Sequence, residues 1–179
     1  MTSHQKRSTL QCFLSGLVSL GIFSTVKGEL SSPSCSLPIS WIHGHATDIG
    51  FPEQIECATS TGASKLIRGC SFSTQALHYA FPVPPGRPRL IAILLRFRTL
   101  AGASIRAIQI FDGELPVVEI NDIFLQNSGW DEHRIGLAAQ PFIERGLGVT
   151  VQIGFQDIER QIEISSIGAQ FSVDRSAYG

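Results

Sequence analysis

Along most of this chain, side-chain chemistry alternates with a period of two, and that restricts the chain to β-structure. In GVTVQIGF, Val149, Val151, Ile153 and Phe155 share one face while Thr150, Gln152 and Gly154 share the other, as in a strand with one side buried. RQIEISSIGAQFSV begins the same way at Ile162 and Ile164, then resumes out of phase at Ile167, Ala169, Phe171 and Val173. One extra residue near Ser165–Ser166, a β-bulge, restores the face. RLIAILLRFRT is apolar on both faces until Arg96 and Arg98, the signature of a central strand. ASIRAIQIFDGELPVVEIND reads as two strands around FDGE, with Asp112-Gly113 as the hairpin signal. SWIHGH, QIECATS, SKLIRG, QALHYAF and EHRIGL are shorter candidates. The total is about nine or ten strands, and no segment keeps a helical apolar stripe. The expected fold is all-β: a single antiparallel β-sandwich, with a small closed β-barrel as the alternative.

The N-terminal segment has a different character. MTSHQKR is a short basic stretch before the apolar run FLSGLVSLGIFSTV, Phe13 to Val26. This is the layout of a signal peptide over residues 1–28, and the run is too short for a membrane span. A Ser/Pro-rich leader then covers residues 29–38, and the β-domain covers 39–179. No later segment is apolar enough for a span, so no stable membrane anchor is expected after cleavage. Without Lys6, Arg7 and Lys27 the basic count falls from 14 to 11 against 15 acidic residues, a net charge of −4. A weakly acidic secreted domain lacks the basic face that nucleic acid requires. Arg87, Arg89, Arg96, Arg98 and Arg106 do lie close in sequence. Arg96 and Arg98 share one strand face, with Arg106 on the neighbouring strand. This is either a patch for an anionic ligand or an ordinary solvated sheet.

Cys35, Cys57 and Cys70 remain after cleavage, an odd number in an oxidising compartment. Cys57 and Cys70 flank a turn at STGAS and are the expected disulfide across a hairpin, with Cys35–Cys57 the competing pair. Cys35 is otherwise free or joins two chains in a homodimer.

One combination of motifs has company elsewhere. W-x-H-G (Trp41, His43, Gly44), the LLRFRT strand, R-A-x4-D-G (Arg106, Ala107, Asp112, Gly113) and GLG-V-x-V-x3-F (Gly146 to Phe155) resemble a family of small all-β proteins. These are mainly bacterial and are classed as a domain of unknown function. The family pattern has Trp where this chain has Arg145. The resemblance spans about Ser40 to Val173 and implies one compact β-domain. It implies no reaction and no catalytic residue.

The polar candidates are few. His43 and His45 lie two apart and would aim at one point from a straight strand. With Asp48 they form the fallback metal set, since a site needs three or four converging ligands. The intervening glycine indicates a bend instead, so the preferred reading is a strand edge with no metal. In GWDEHRIGL, His133 stands beside Asp131 and Glu132, an arrangement able to raise a histidine pKa for acid–base work. Asp112, Glu114, Glu119 and Asp122 surround one hairpin, where surface carboxylates are usual. There is no G-x-S-x-G elbow, and RGLGVTV lacks the third glycine of a dinucleotide fingerprint.

Two function classes lead. The first is a secreted module that holds a small hydrophobic molecule or a sugar, between its sheets or in a barrel mouth. Trp41, His78, Trp130, Arg96 and Arg98 are its candidate ligand-binding residues. The second is a cofactor-free isomerase, lyase or cyclase acting on a hydrophobic metabolite, with His43, His133 and Tyr79 as candidate catalytic groups. Neither requires a cofactor. A surface-associated structural protein without a pocket is the third class.

Overall fold

The computed structural model describes residues 37–173 except 101 and 157–159, and all of these fall within the compact unit Cys35–Gly179. The signal segment 1–28, leader residues 29–36 and Cys35 lie outside the described residues.

Two antiparallel sheets face each other as a sandwich and do not close into a barrel. One contains β1 (Ile39–His43), β3 (Ile55–Ser60), β4 (Lys65–Gly69), β6 (Pro88–Thr99), β9 (Asp131–Gly136) and β11 (Gln161–Val173). The other contains β2 (Asp48–Ile49), β5 (Thr74–Phe81), β7 (Ala103–Asp112), β8 (Leu115–Ile120) and β10 (Leu147–Phe155), in the order β2-β5-β10-β7-β8. Eleven strands are present among the described residues, one more than the upper expectation. The addition is β2, two residues long, which carries no readable alternation.

β6 is a central strand as its two apolar faces require, paired to β11 on one side and β9 on the other. β11 shifts register between Ile164 and Ser166, where the phase of its apolar residues changes. This bulge also divides the other edge of β11: Gln161–Ile164 pair with β4, and Ser166–Gln170 pair with β1. At that junction the chain turns out of β1 through a 3₁₀ turn, Gly44–Ala46, and crosses to the other sheet as β2.

The space between the sheets is filled. Leu77, Leu95, Phe97, Ile108, Val151 and Phe171 are among the fully buried side chains that meet there. Tyr79 belongs to this core too, only 2 % exposed. Among the described residues these side chains pack as a core between the sheets, and the depressions described below open to the outside.

Three further expectations are corrected. The β3–β4 register sets Cys57 opposite Arg68, while the Cys70 N–H bonds to the Gln54 carbonyl, three residues away from Cys57. At about 3.3 Å per residue that offset exceeds the roughly 7 Å Cα separation a disulfide tolerates; both thiols are free. Arg106 is not on a neighbour of the Arg96–Arg98 strand: β7 belongs to the opposite sheet. The fallback set His43, His45 and Asp48 is divided in the same way. Asp48 sits in β2 opposite His78, and its Oδ1 accepts the Ile49 N–H at 2.9 Å. No group of three metal-ligating side chains converges among the described residues.

Candidate functional site

The outer face of the five-stranded sheet follows from the alternation within β10. Because Leu147, Val149, Val151, Ile153 and Phe155 point into the core, Gly148, Thr150, Gln152 and Gly154 point away from it. The register then builds a row. Thr150 lies opposite His78 of β5 and Gln109 of β7, His78 lies opposite Asp48 of β2, and Gln109 lies opposite Glu119 of β8. Each of the five strands thus contributes one polar residue to a single line across the sheet.

Neighbours in this row are bonded to each other. His78 Nδ1 and Thr150 Oγ1 are 2.9 Å apart, and Gln109 Nε2 donates to Glu119 Oε1 at 3.0 Å. The amides of Gln109 and Asn121 hold the Glu119 carboxyl below the ordinary glutamate range, so it stays ionised and accepting. His78 has space because Gly50 stands beside it; a Cβ there would lie 2.9 Å from Nε2.

The next row is small and apolar: Ala80 opposite Gly148, and Gly148 opposite Phe111. Small residues lower the floor, and the result is an open depression of about 470 Å³ lined by Asp48, His78, Ala80, Phe111, Gly148 and Thr150. A second depression, about 380 Å³, lies toward the other end of β10 beside Phe72, Thr74, Arg106, Gly154 and Gln156. Gly148 to Gly154 is six residues, about 20 Å of strand, so the two depressions lie toward opposite ends of one outer strand face. Its groups are donors, acceptors and hydroxyls in alternation, with an aromatic edge at Phe111.

The residues singled out from sequence fall in several places: His78, Asp48 and the largely buried Tyr79 line the larger depression, and Arg106 borders the smaller. Trp41 lies on the outer face of the six-stranded sheet, its ring atoms 2.8 Å from where a Cβ on Gly168 would sit. His43 and His45 have ring centroids 4.3 Å apart; His43 Nδ1 accepts the His45 N–H at 3.4 Å, and His45 Nε2 meets the Ser64 carbonyl at 2.9 Å. Arg96 faces Glu132. Arg98 pairs with Glu163 at 2.5 Å and lies 5.0 Å from the Trp130 ring centre. His133 stands 3.8 Å from Asp131 and stacks obliquely on Phe97 at 5.3 Å. The Tyr79 hydroxyl is enclosed without a hydrogen-bond partner among the described residues, and burial pushes its pKa up to about 12, with Thr47 the polar side chain acting against that shift. Thr150, Gln109, Phe111 and Glu119 were not singled out as groove residues. Their signal is faint: alternation puts Thr150 opposite in facing to Val149, but nothing in the sequence aligns it with Gln109 or Glu119.

Comparisons with known proteins add membership. No curated protein matches the chain. Among solved structures, a family 29 carbohydrate-binding module from Piromyces equi is 12% identical with a TM-score of 0.47, covering 75% of this chain and 92% of that one. The low-affinity xylan-binding module CBM86 from Roseburia intestinalis is 6% identical at TM-score 0.47, covering 75% and 96%. The Stig cyclase Fisc from Fischerella sp. TAU, in complex with a pyrrolidinylidene-indole, is 7% identical at TM-score 0.48, covering 79% and 93%. Identity this low carries no residue correspondence, and no ligand passes from these proteins to this chain. The family model is a different matter: it covers residues 36–174, nearly the whole β-domain, and the chain belongs to the family of unknown function DUF6623.

Proposed function

We propose that this protein is a secreted carbohydrate-binding module that takes a sugar chain on the outer face of its five-stranded sheet, with residues 1–28 directing export. The observation that carries this reading is the polar row Asp48, His78, Thr150, Gln109 and Glu119 above a floor of Ala80 and Gly148. A sugar ring presents hydroxyls around its rim, each both donor and acceptor. Carboxylates at the two ends of the row accept and the Gln109 amide serves either need, while Thr150, only 5% exposed, holds the His78 ring in place. Glycine and alanine let the ring approach the sheet, and Phe111 offers an apolar surface to its C–H groups. A small hydrophobic ligand fits less well, because it would displace water from the remaining donors and acceptors of this row without replacing those bonds.

Each hydrogen bond contributes about 0.5–1.5 kcal/mol net, and an open groove encloses little of its ligand, so modest affinity is expected. The test is calorimetric titration of the purified protein with a panel of oligosaccharides, repeated with Thr150→Val. The valine keeps the shape and strand propensity but removes the hydroxyl that positions the exposed His78 ring, and binding should weaken about three- to tenfold. Failure of every oligosaccharide to bind, or full affinity in Thr150→Val, would remove this reading.

A further inference from the structure

Toward Gly154 the outer face of β10 changes from polar to cationic, and the backbone is built to make it so. Against β10, β7 pairs Ala107 with Gln152 and Ile105 with Ile153, which leaves Arg106 as the extra residue of a bulge. A bulge re-aims a side chain, and this one sends Arg106 across Gly154. A Cβ on Gly154 would come within 3.0 Å of Arg106 Cγ and Nε, so the arginine stem occupies the space a larger residue would need. The guanidinium lies 4.5 Å from the Phe124 ring centre. Arg87, Arg98, Arg145 and Arg160 each have a carboxylate partner; Arg106, like Arg68, Arg89, Arg96 and Arg134, has none among the described residues, and of these it is the one that borders this depression. The depression it borders also has Phe72 on its rim, 87% exposed and held at φ 53°.

We propose that the ligand of this sheet face is an acidic oligosaccharide, and that Arg106 binds its one anionic group, a carboxylate or sulfate. This rests on the face being a carbohydrate site. Thr150 and Gly154 are four residues apart on β10, about 13 Å. Neutral rings on the polar row and an anion at Arg106 therefore belong to one extended chain. Asp48 and Glu119 end the row on either side and disfavour further anionic groups there, so a densely charged polymer fits less well than a chain with isolated charges. A guanidinium on an aromatic face, free of an internal partner, is suited to planar two-point contact with an oxyanion.

The experiment titrates the full chain with three probes: unsubstituted xylohexaose, the same backbone bearing one glucuronate, and the same backbone bearing one sulfate. At low salt at least one charged probe should bind about tenfold tighter than the neutral one, and which one does so identifies the anion. Arg106→Gln should reduce that preference to near parity. Gly154→Ala should reduce it as well, by moving the arginine stem without removing the charge. Equal binding of charged and neutral probes, or a preference that survives Arg106→Gln, overturns the proposal while leaving the carbohydrate reading in place. Binding of none of the three, with none on a wider neutral panel, removes both.

Discussion

A methyl group on Gly44 would lie 2.0 Å from the carbonyl oxygen of Ile164, and that single distance explains the glycine between His43 and His45. The chain leaves the six-stranded sheet where the backbone of β11 is closest, and only a residue without Cβ fits. Gly44→Ala must push two backbone segments apart, at a cost of about 1–3 kcal/mol, readable as a lower midpoint in urea denaturation. The histidines on either side are held by each other and by the Ser64 carbonyl. Asp112 is a second residue whose neighbours account for it. Its Oδ1 accepts the N–H groups of Glu144, Arg145 and Gly146 at 3.1, 2.6 and 3.2 Å, tying the β7–β8 hairpin to the loop before β10. Burial acts to raise its pKa, but these donors and the Arg145 charge outweigh it, and the carboxyl is held below the ordinary 3.8. A depressed carboxyl pKa adds stability that is complete above the unfolded value and is lost as pH falls through the folded one. Asp112→Asn should lower Tm near neutral pH and flatten the fall in Tm below about pH 4, measured by thermal melts across pH 2–6.

Elements reach further than residues because each strand serves two faces. β10 is the clearest case: five alternate residues fill the core, and the residues between them make the groove. The two tasks can be separated by substitution on the outward face alone. A Cβ on Gly148 would meet only the Phe111 Cβ, at 3.5 Å, an ordinary contact. Gly148→Val should fold with Tm little changed, since valine suits a strand, yet it fills the groove floor. Oligosaccharide binding is expected to drop by more than about tenfold, and a variant that retains affinity would show that the ligand does not cross β10 there. The hairpin after β7 carries its own requirement. Gly113 at φ 62° is the first residue of a two-residue turn joining Asp112 to Leu115, a position at which an L side chain is strained. The DG signal in the sequence reports this turn directly.

On the scale of the whole molecule, stability rests on the seam between the sheets. Phe97 and Phe171 from one sheet and Phe155 from the other are each no more than 1% exposed. Phe97→Ala should cost about 3–5 kcal/mol, a shift in the denaturation midpoint far larger than that of any groove variant. It should weaken ligand binding only through loss of folded protein. Such a contrast separates the framework from the site it carries.

The sequence by itself determined the β class, ten of the eleven strands, the central place of β6, the bulge in β11 and the turn at Asp112-Gly113. All of these are local: a period of two, a phase change or a dipeptide is complete within a few residues. β2 escaped because two residues cannot display a period. Only the tertiary structure decided which strands share a sheet, and with that the site. Asp48, His78, Gln109, Glu119 and Thr150 come from five separated segments, and their alignment depends on pairing register, where a slip of one residue would turn each to the other face. The same pairing drew Arg106 away from Arg96 and Arg98, kept Cys57 from Cys70, and enclosed Tyr79 in the core. Side-chain type is written in the sequence, but which side chains face one ligand is fixed by long-range hydrogen bonding between strands.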